Sequence, residues 1–229
     1  VGFLATGGII PASQESVAAG EWRAYGGDHA ASGYSPLDQI TSANVTDLEI
    51  VWEWTGRNFG PRSEVRTQTR PLMINGVLYA TAGTRRAVVA IDPRTGETIW
   101  TCRLDEEERY AEAPRRNSGR GVAYWSPGGS GEGARIFVVT PGYHLVALDA
   151  FNGRPISEFG EDGVLDLMMG VRGGVPPVGR IGSSSPPVIV GDVVIVGAAQ
   201  EVGMAPDSMR NIKGDVRGFD ARTGELRWV

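Results

Sequence analysis

The chain has 229 residues, of which 33 are Gly and 14 are Pro, so about a fifth of it turns structure rather than propagating it. That balance excludes a helical bundle or coiled coil, and 41% hydrophobic with 21% charged residues excludes a disordered chain. A net charge of −5 with no basic run leaves no electrostatic footprint for nucleic acid, and no nucleic-acid partner is expected. A lone Cys102 rules out an internal disulfide and a multi-Cys metal cage. It reads as a small hydrophobe in or near a strand. His29 and His144 are too few for a His-rich metal site and read as surface or loop residues.

At the N-terminus, Val1 to Ile10 (VGFLATGGII) is an apolar run closed by Pro11. It is too short to span a bilayer. Followed by PASQESVAAGEW, with small residues at Ala18 and Ala19, it reads as the end of a secretory signal peptide. Residues 1–20 are accordingly expected to be a leader remnant or tail, and residues 21–229 the folded domain.

The first strand expected in the domain is Leu48 to Trp54. β-branched runs then predict strands at 77–81, 136–140 and 188–196, and each precedes a copy of one pattern. Ala90 to Trp100 reads AIDPRTGETIW, Ala147 to Ser157 reads ALDAFNGRPIS, and Gly218 to Trp228 reads GFDARTGELRW. The shared pattern is an apolar residue, Asp, two variable residues, Thr or Asn, Gly and a closing Trp, with Ser157 standing for Trp in the middle copy. Each copy is a hairpin: the Asp side chain caps the turn, and Gly supplies the positive φ. A large aromatic at the end of the last strand can pack on the neighbouring unit. The Asp residues lie 57 and 71 residues apart (Asp92, Asp149, Asp220). Strand-and-turn repeats of this length predict an all-β β-propeller with four strands to a blade and about three blades in this chain.

The spacings exceed a compact blade, so loops are inserted, notably Arg103 to Ser118 and the stretch between Gly197 and Gly218. Long loops on one rim of a rigid scaffold are where function gathers. Gly128 to Gly133 (GGSGEG) matches neither phosphate-loop spacing and reads as a hairpin tip.

From Trp22 onward the chain resembles the tryptophan-docking repeat proteins of the pyrroloquinoline quinone (PQQ)-dependent alcohol and sugar dehydrogenases. The resemblance rests on the three hairpins and on WRAYGGDHAASGYSPLDQIT, NVTDLEIVWEW, GRGVAYW, SSSPPVIVGDVVIVG and VRGFDARTGELRW, in that order. The membrane-type glucose dehydrogenase branch is the more similar, because Pro114 and Arg115 occupy the region of the vicinal Cys pair of methanol dehydrogenases. The resemblance implies an eight-bladed propeller. It also implies PQQ in the central funnel beside Ca²⁺, and hydride transfer from an alcohol or sugar. A quinone or cytochrome c is the implied electron acceptor, and the periplasm the implied location.

By the same resemblance, Arg120 is expected to contact PQQ. Gln68 stands where several members carry a cofactor-bonding Glu, and Ser184 where they carry a Thr hydroxyl donor. Glu201 is the expected metal ligand, since Ca²⁺ prefers hard oxygen donors. Arg116 stands at a His position of the glucose dehydrogenases. The family's base, a second metal ligand and a basic residue on the quinone come from later blades, so the chain is expected to be an N-terminal fragment with no catalytic base of its own. The alternative is a non-catalytic propeller of the same repeats acting as a protein-binding scaffold in the envelope. Arg120 in its GVAYW context and the SSSPP segment favour the enzyme.

Overall fold

In the computed structural model, the described residues are 20–56, 59, 60, 64, 67–129, 131–200 and 212–229. Three four-stranded antiparallel sheets follow one another along the chain. The first comprises β1 (Leu72–Ile74), β2 (Val77–Ala82), β3 (Ala87–Ile91) and β4 (Thr98–Cys102). The second comprises β5 (Ala123–Trp125), β6 (Arg135–Val139), β7 (His144–Asp149) and β8 (Val164–Asp166). After the two-residue β9 (Ile181–Gly182) comes the third sheet, with β10 (Val188–Val190), β11 (Val193–Val196), β13 (Arg217–Asp220) and β14 (Leu226–Trp228). A short strand β12 (Ala199–Gln200) pairs with β9. Helix is confined to α1 (Glu107–Glu112) and two single 3₁₀ turns among the described residues, and none is long and apolar enough to cross a membrane.

Strand periodicity decides how the sheets stack. On β6, Ile136 and Val138 pack with Leu72, Tyr79 and Val88 of the first sheet. The intervening Phe137 and Val139 pack with Val194, Val196 and Phe219 of the third. The second blade is thus apolar on both faces and sits between its neighbours. The outer face of the first blade (Ala80, Ala82, Val89, Ile91) is covered by Trp52, Trp54 and Phe59.

The three hairpins form as their sequences require. Asp92 accepts a hydrogen bond from the N–H of Arg94 at 2.8 Å. Asp149 accepts from Phe151 and Asn152 at 2.9 Å, and Asp220 from Arg222 and Thr223 at 2.8 and 2.9 Å. Gly96, Gly153 and Gly224 hold φ of 74°, 72° and 79°. Trp100 closes the first blade on the second. Its Nε1 donates to the Ala150 carbonyl at 3.1 Å.

Several expectations are corrected. Residues 188–196 form two strands joined by a tight turn at Gly191–Asp192, because Gly191 adopts φ 56° and reverses the chain. Leu48 to Trp54, expected as the strand that would complete the last blade of a closed ring, pairs with no strand among the described residues, and exposed and half-buried residues alternate only over Val51 to Trp54. Its Trp52 and Trp54 are instead anchored sideways, by Nε1 bonds to the Pro93 carbonyl and to Thr98 Oγ1. Where Ser157 replaces Trp, the fully buried Phe159 packs against Gly224 of the third hairpin. Trp228 packs over Gly218 of its own sheet and remains half-exposed.

Candidate functional site

In an antiparallel meander, alternate connections fall at opposite ends of the sheet. The Asp-capped hairpins and the Gly128 to Gly133 tip lie on one rim. The other rim carries the connections 103–122 and 167–180 and the starts of the first strand of each blade. Gln68, Arg120 and Ser184 precede β1, β5 and β10 respectively, so the topology delivers all three to this loop-bearing rim.

The backbones of Arg120 and Ser184 meet there, joined by that of Arg70, two residues after Gln68. The N–H of Arg70 donates to the Arg120 carbonyl at 3.1 Å, and the N–H of Arg120 donates to the Ser184 carbonyl at 2.9 Å. These bonds cross from blade to blade and tie three first strands into one inner edge. Gly121 permits the approach: at φ 127°, a Cβ there would lie 2.8 Å from the Arg70 carbonyl oxygen.

The side chains at this edge are available. Gln68 and Arg120 are exposed and Ser184 is half-buried. Among the described residues none of the three side chains makes a hydrogen bond or ion pair. A guanidinium without a protein partner is suited to bind a carboxylate. The nearby Arg70 guanidinium instead stacks 4.8 Å from the Tyr25 ring centroid. Arg116 is also exposed, donating to the Ala111 carbonyl at 2.7 Å.

Glu201, the expected metal ligand, lies outside the described residues. No cluster of three or more His, Cys, Asp or Glu suited to a metal occurs among those described. The β9–β12 ribbon does join the approach to Ser184 with the strand that ends at Gln200.

Two groups on this rim escaped the reading of the sequence. Arg86, in the β2–β3 turn, is only 3% exposed. Burial pushes its pKa down to about 10, which leaves it charged at neutral pH. Nothing in the run Thr84-Arg85-Arg86 distinguishes it from a solvated turn. The second is His144, which is not a free surface residue. Its Nδ1 lies 2.6 Å from Oε1 of the buried Glu106. That carboxylate also accepts from Thr140 Oγ1 at 2.5 Å and the Gly142 N–H at 2.9 Å. Beside them, Arg109 forms a bidentate pair with Asp166 and holds its carboxyl below the usual range against the opposing effect of burial. These contacts seat the charged 103–118 insertion on the β6–β7 turn. Cys102 is half-buried on β4, and burial pushes its thiol pKa up.

Comparison with known proteins matches this architecture. The glycerol dehydrogenase large subunit of Gluconobacter oxydans is 31% identical over 96% of this chain and 30% of its own length. Quinoprotein glucose dehydrogenase A of Acinetobacter calcoaceticus is 30% identical over 93% and 28% respectively. The crystal structure of the quinohemoprotein alcohol dehydrogenase of Comamonas testosteroni superposes with a TM-score of 0.70 at 27% identity, over 93% of this chain and 28% of that one. The chain therefore spans about 30% of the length of the curated relatives it matches. Residues 22–229 match the family described as "PQQ: Glucose/ethanol/alcohol dehydrogenase, beta-propeller domain", with the three blades and the joined inner edge falling inside the match, and the chain belongs to that family.

Proposed function

We propose that this chain is part of a dehydrogenase that oxidises an alcohol or a sugar by hydride transfer to PQQ, with Ca²⁺ as its metal. When bound, PQQ supplies the carbonyl carbon that accepts the hydride, and the cation polarises that carbonyl as a Lewis acid. The donor set of the inner edge fits such a cofactor. Arg120 offers a charged, planar fork for a carboxylate, Ser184 a hydroxyl donor, and Gln68 an amide that both donates and accepts. Glu201 is assigned to the metal on the oxygen chemistry of its side chain.

One observation carries the reading: the Arg120 guanidinium is unpartnered among the described residues at the point where three blades are bonded edge to edge. A guanidinium left without a protein partner at that junction is free to take the carboxylate of a bound ligand. The closing Trp100 of the first hairpin serves the fold, its indole packing on the second blade as a docking contact. The reaction as a whole belongs to the longer protein, whose reduced cofactor passes electrons to a quinone or a cytochrome c. The apolar run before Pro11 supports export to the periplasm.

The test is titration of the full-length protein with PQQ and Ca²⁺, followed by tryptophan fluorescence, beside a dye-linked assay on alcohols and sugars. We expect saturable binding, weakened about tenfold or more by Arg120→Ala, and PQQ-dependent oxidation. A full-length protein that neither binds PQQ nor oxidises any alcohol or sugar with it overturns the reading.

A further inference from the structure

Among the described residues, the Arg86 side chain makes the most hydrogen bonds on the loop-bearing rim. A guanidinium has five N–H donors, and here the two blades and the loop beside it supply five acceptor contacts. Nε donates to the Asn117 carbonyl at 3.2 Å. One terminal nitrogen donates to the Val139 and Ser183 carbonyls at 2.7 and 2.6 Å. The other donates to the Arg115 carbonyl at 2.8 Å and to Asn117 Oδ1 at 3.3 Å.

These acceptors lie on the approaches to the inner edge. Ser183 precedes Ser184, whose carbonyl receives the Arg120 N–H. Asn117 precedes Arg120 by three residues, and its Oδ1 also accepts from the Gly119 N–H at 2.9 Å. Gly119, at φ 69°, passes so near that a Cβ would lie 2.7 Å from Arg86 Nε. The Arg86 backbone itself holds φ 53°, a conformation non-glycine residues seldom adopt and which surrounding structure must enforce. Among the described residues no carboxylate contacts the guanidinium. A Lys, with three donors on one nitrogen, could not serve acceptors spread over so many segments.

We propose that Arg86 is a positioning residue for the cofactor edge, clamping the segments of Arg120 and Ser184 together so that both side chains face one ligand, while itself touching no ligand. The inference rests on the PQQ reading above and adds to it a residue outside the binding set. Without the clamp, the one hydrogen bond left among the described residues from the 115–121 loop to the approach of the third blade is that of the Arg120 N–H to the Ser184 carbonyl, and the two donors no longer hold a common geometry.

The test compares the full-length wild type with Arg86→Lys and Asn117→Ala by PQQ titration and by amide hydrogen exchange of the cofactor-free protein. We expect Arg86→Lys to bind PQQ about tenfold more weakly and to exchange the Arg120 amide and segments 117–121 and 183–185 faster, with unfolding still cooperative. Asn117→Ala, which removes one acceptor only, is expected to weaken binding about threefold and to speed exchange at Gly119. It decides the matter if Arg86→Lys does not fold. Unchanged PQQ affinity together with unchanged Arg120 exchange in a folded variant overturns the proposal. Failure of the wild type to bind PQQ strikes the functional reading instead, and the exchange data still show whether Arg86 holds these segments.

Discussion

The indole of Trp100, on the last strand of the first blade, occupies the space that a side chain would fill at Gly153 in the second hairpin: a Cβ there would lie 2.4 Å from Cε3. The same relation ties Trp52 to Gly96, where a Cβ would lie 2.8 Å from the ring. The turn glycine thus does two jobs. It supplies positive φ for the hairpin and leaves a bare surface on which the preceding aromatic can rest.

Gly153→Ala should therefore cost more than turn strain alone. The left-handed backbone conformation and the clash with a partly buried ring together predict a loss of about 2–4 kcal/mol. Urea unfolding of the full-length protein measures it. Gly76→Ala, at φ 76° but with nothing within 4 Å, isolates the strain and should cost about 1 kcal/mol.

The second junction uses a different residue. Phe159 is fully buried beside Gly224, and the chain there is pinned by the Gly160 N–H donating to the Thr223 carbonyl at 2.9 Å. Phe159→Ala is expected to destabilise by about 3–5 kcal/mol. Ser157→Trp, which restores the repeat pattern at an exposed position, should change stability by no more than about 0.5 kcal/mol.

Acid stability should depend on Asp220. Burial works against its charge, but the Arg227 guanidinium and the N–H groups of Thr223 and Arg222 prevail and hold its pKa at about 2. A carboxyl depressed in the fold contributes stability above its unfolded pKa and loses it as pH falls through the folded value. The contribution is complete near pH 5 and disappears between about pH 4 and pH 2. Asp220→Asn should flatten that part of the stability curve, and melting temperatures across the range read it directly.

Glu106→Ala should loosen the charged insertion. The substitution leaves the buried Gly142 N–H and Thr140 hydroxyl without their acceptor, a loss of about 2–3 kcal/mol. Hydrogen exchange should rise locally, over residues 103–112 and 140–144, before it rises in the blade strands.

At the inner edge, Ser184→Thr keeps the hydroxyl and should leave PQQ affinity within about twofold, while Ser184→Ala should weaken it about threefold to tenfold. Fluorescence titration of the full-length protein distinguishes the two. Equal losses in both variants would point to packing at this position rather than to the hydroxyl.

The repeat was legible because its physics is local. Asp92, Asp149 and Asp220 cap their own turns within three residues, and Gly96, Gly153 and Gly224 reverse the chain in place, so linear pattern alone specified hairpins, blades and the all-β class. Arg120 and Ser184 could be named from the resemblance of their segments. The resemblance implied that they share one side of the blades, but the bond that joins them could not be read, since it links backbones 64 positions apart in the chain. Arg86 was opaque for the same reason. Its acceptors are carbonyls, which every residue possesses, and their convergence exists only once three blades are stacked. Phe159 took the place of a missing Trp because a buried gap admits any aromatic that can reach it, whatever its place in the repeat. Turn chemistry and alternation were determined residue by residue along the sequence. Which charge is buried, which is left unpaired and which segments share an edge were decided by tertiary packing, through hydrogen bonds whose partners carry no signature in the linear chain.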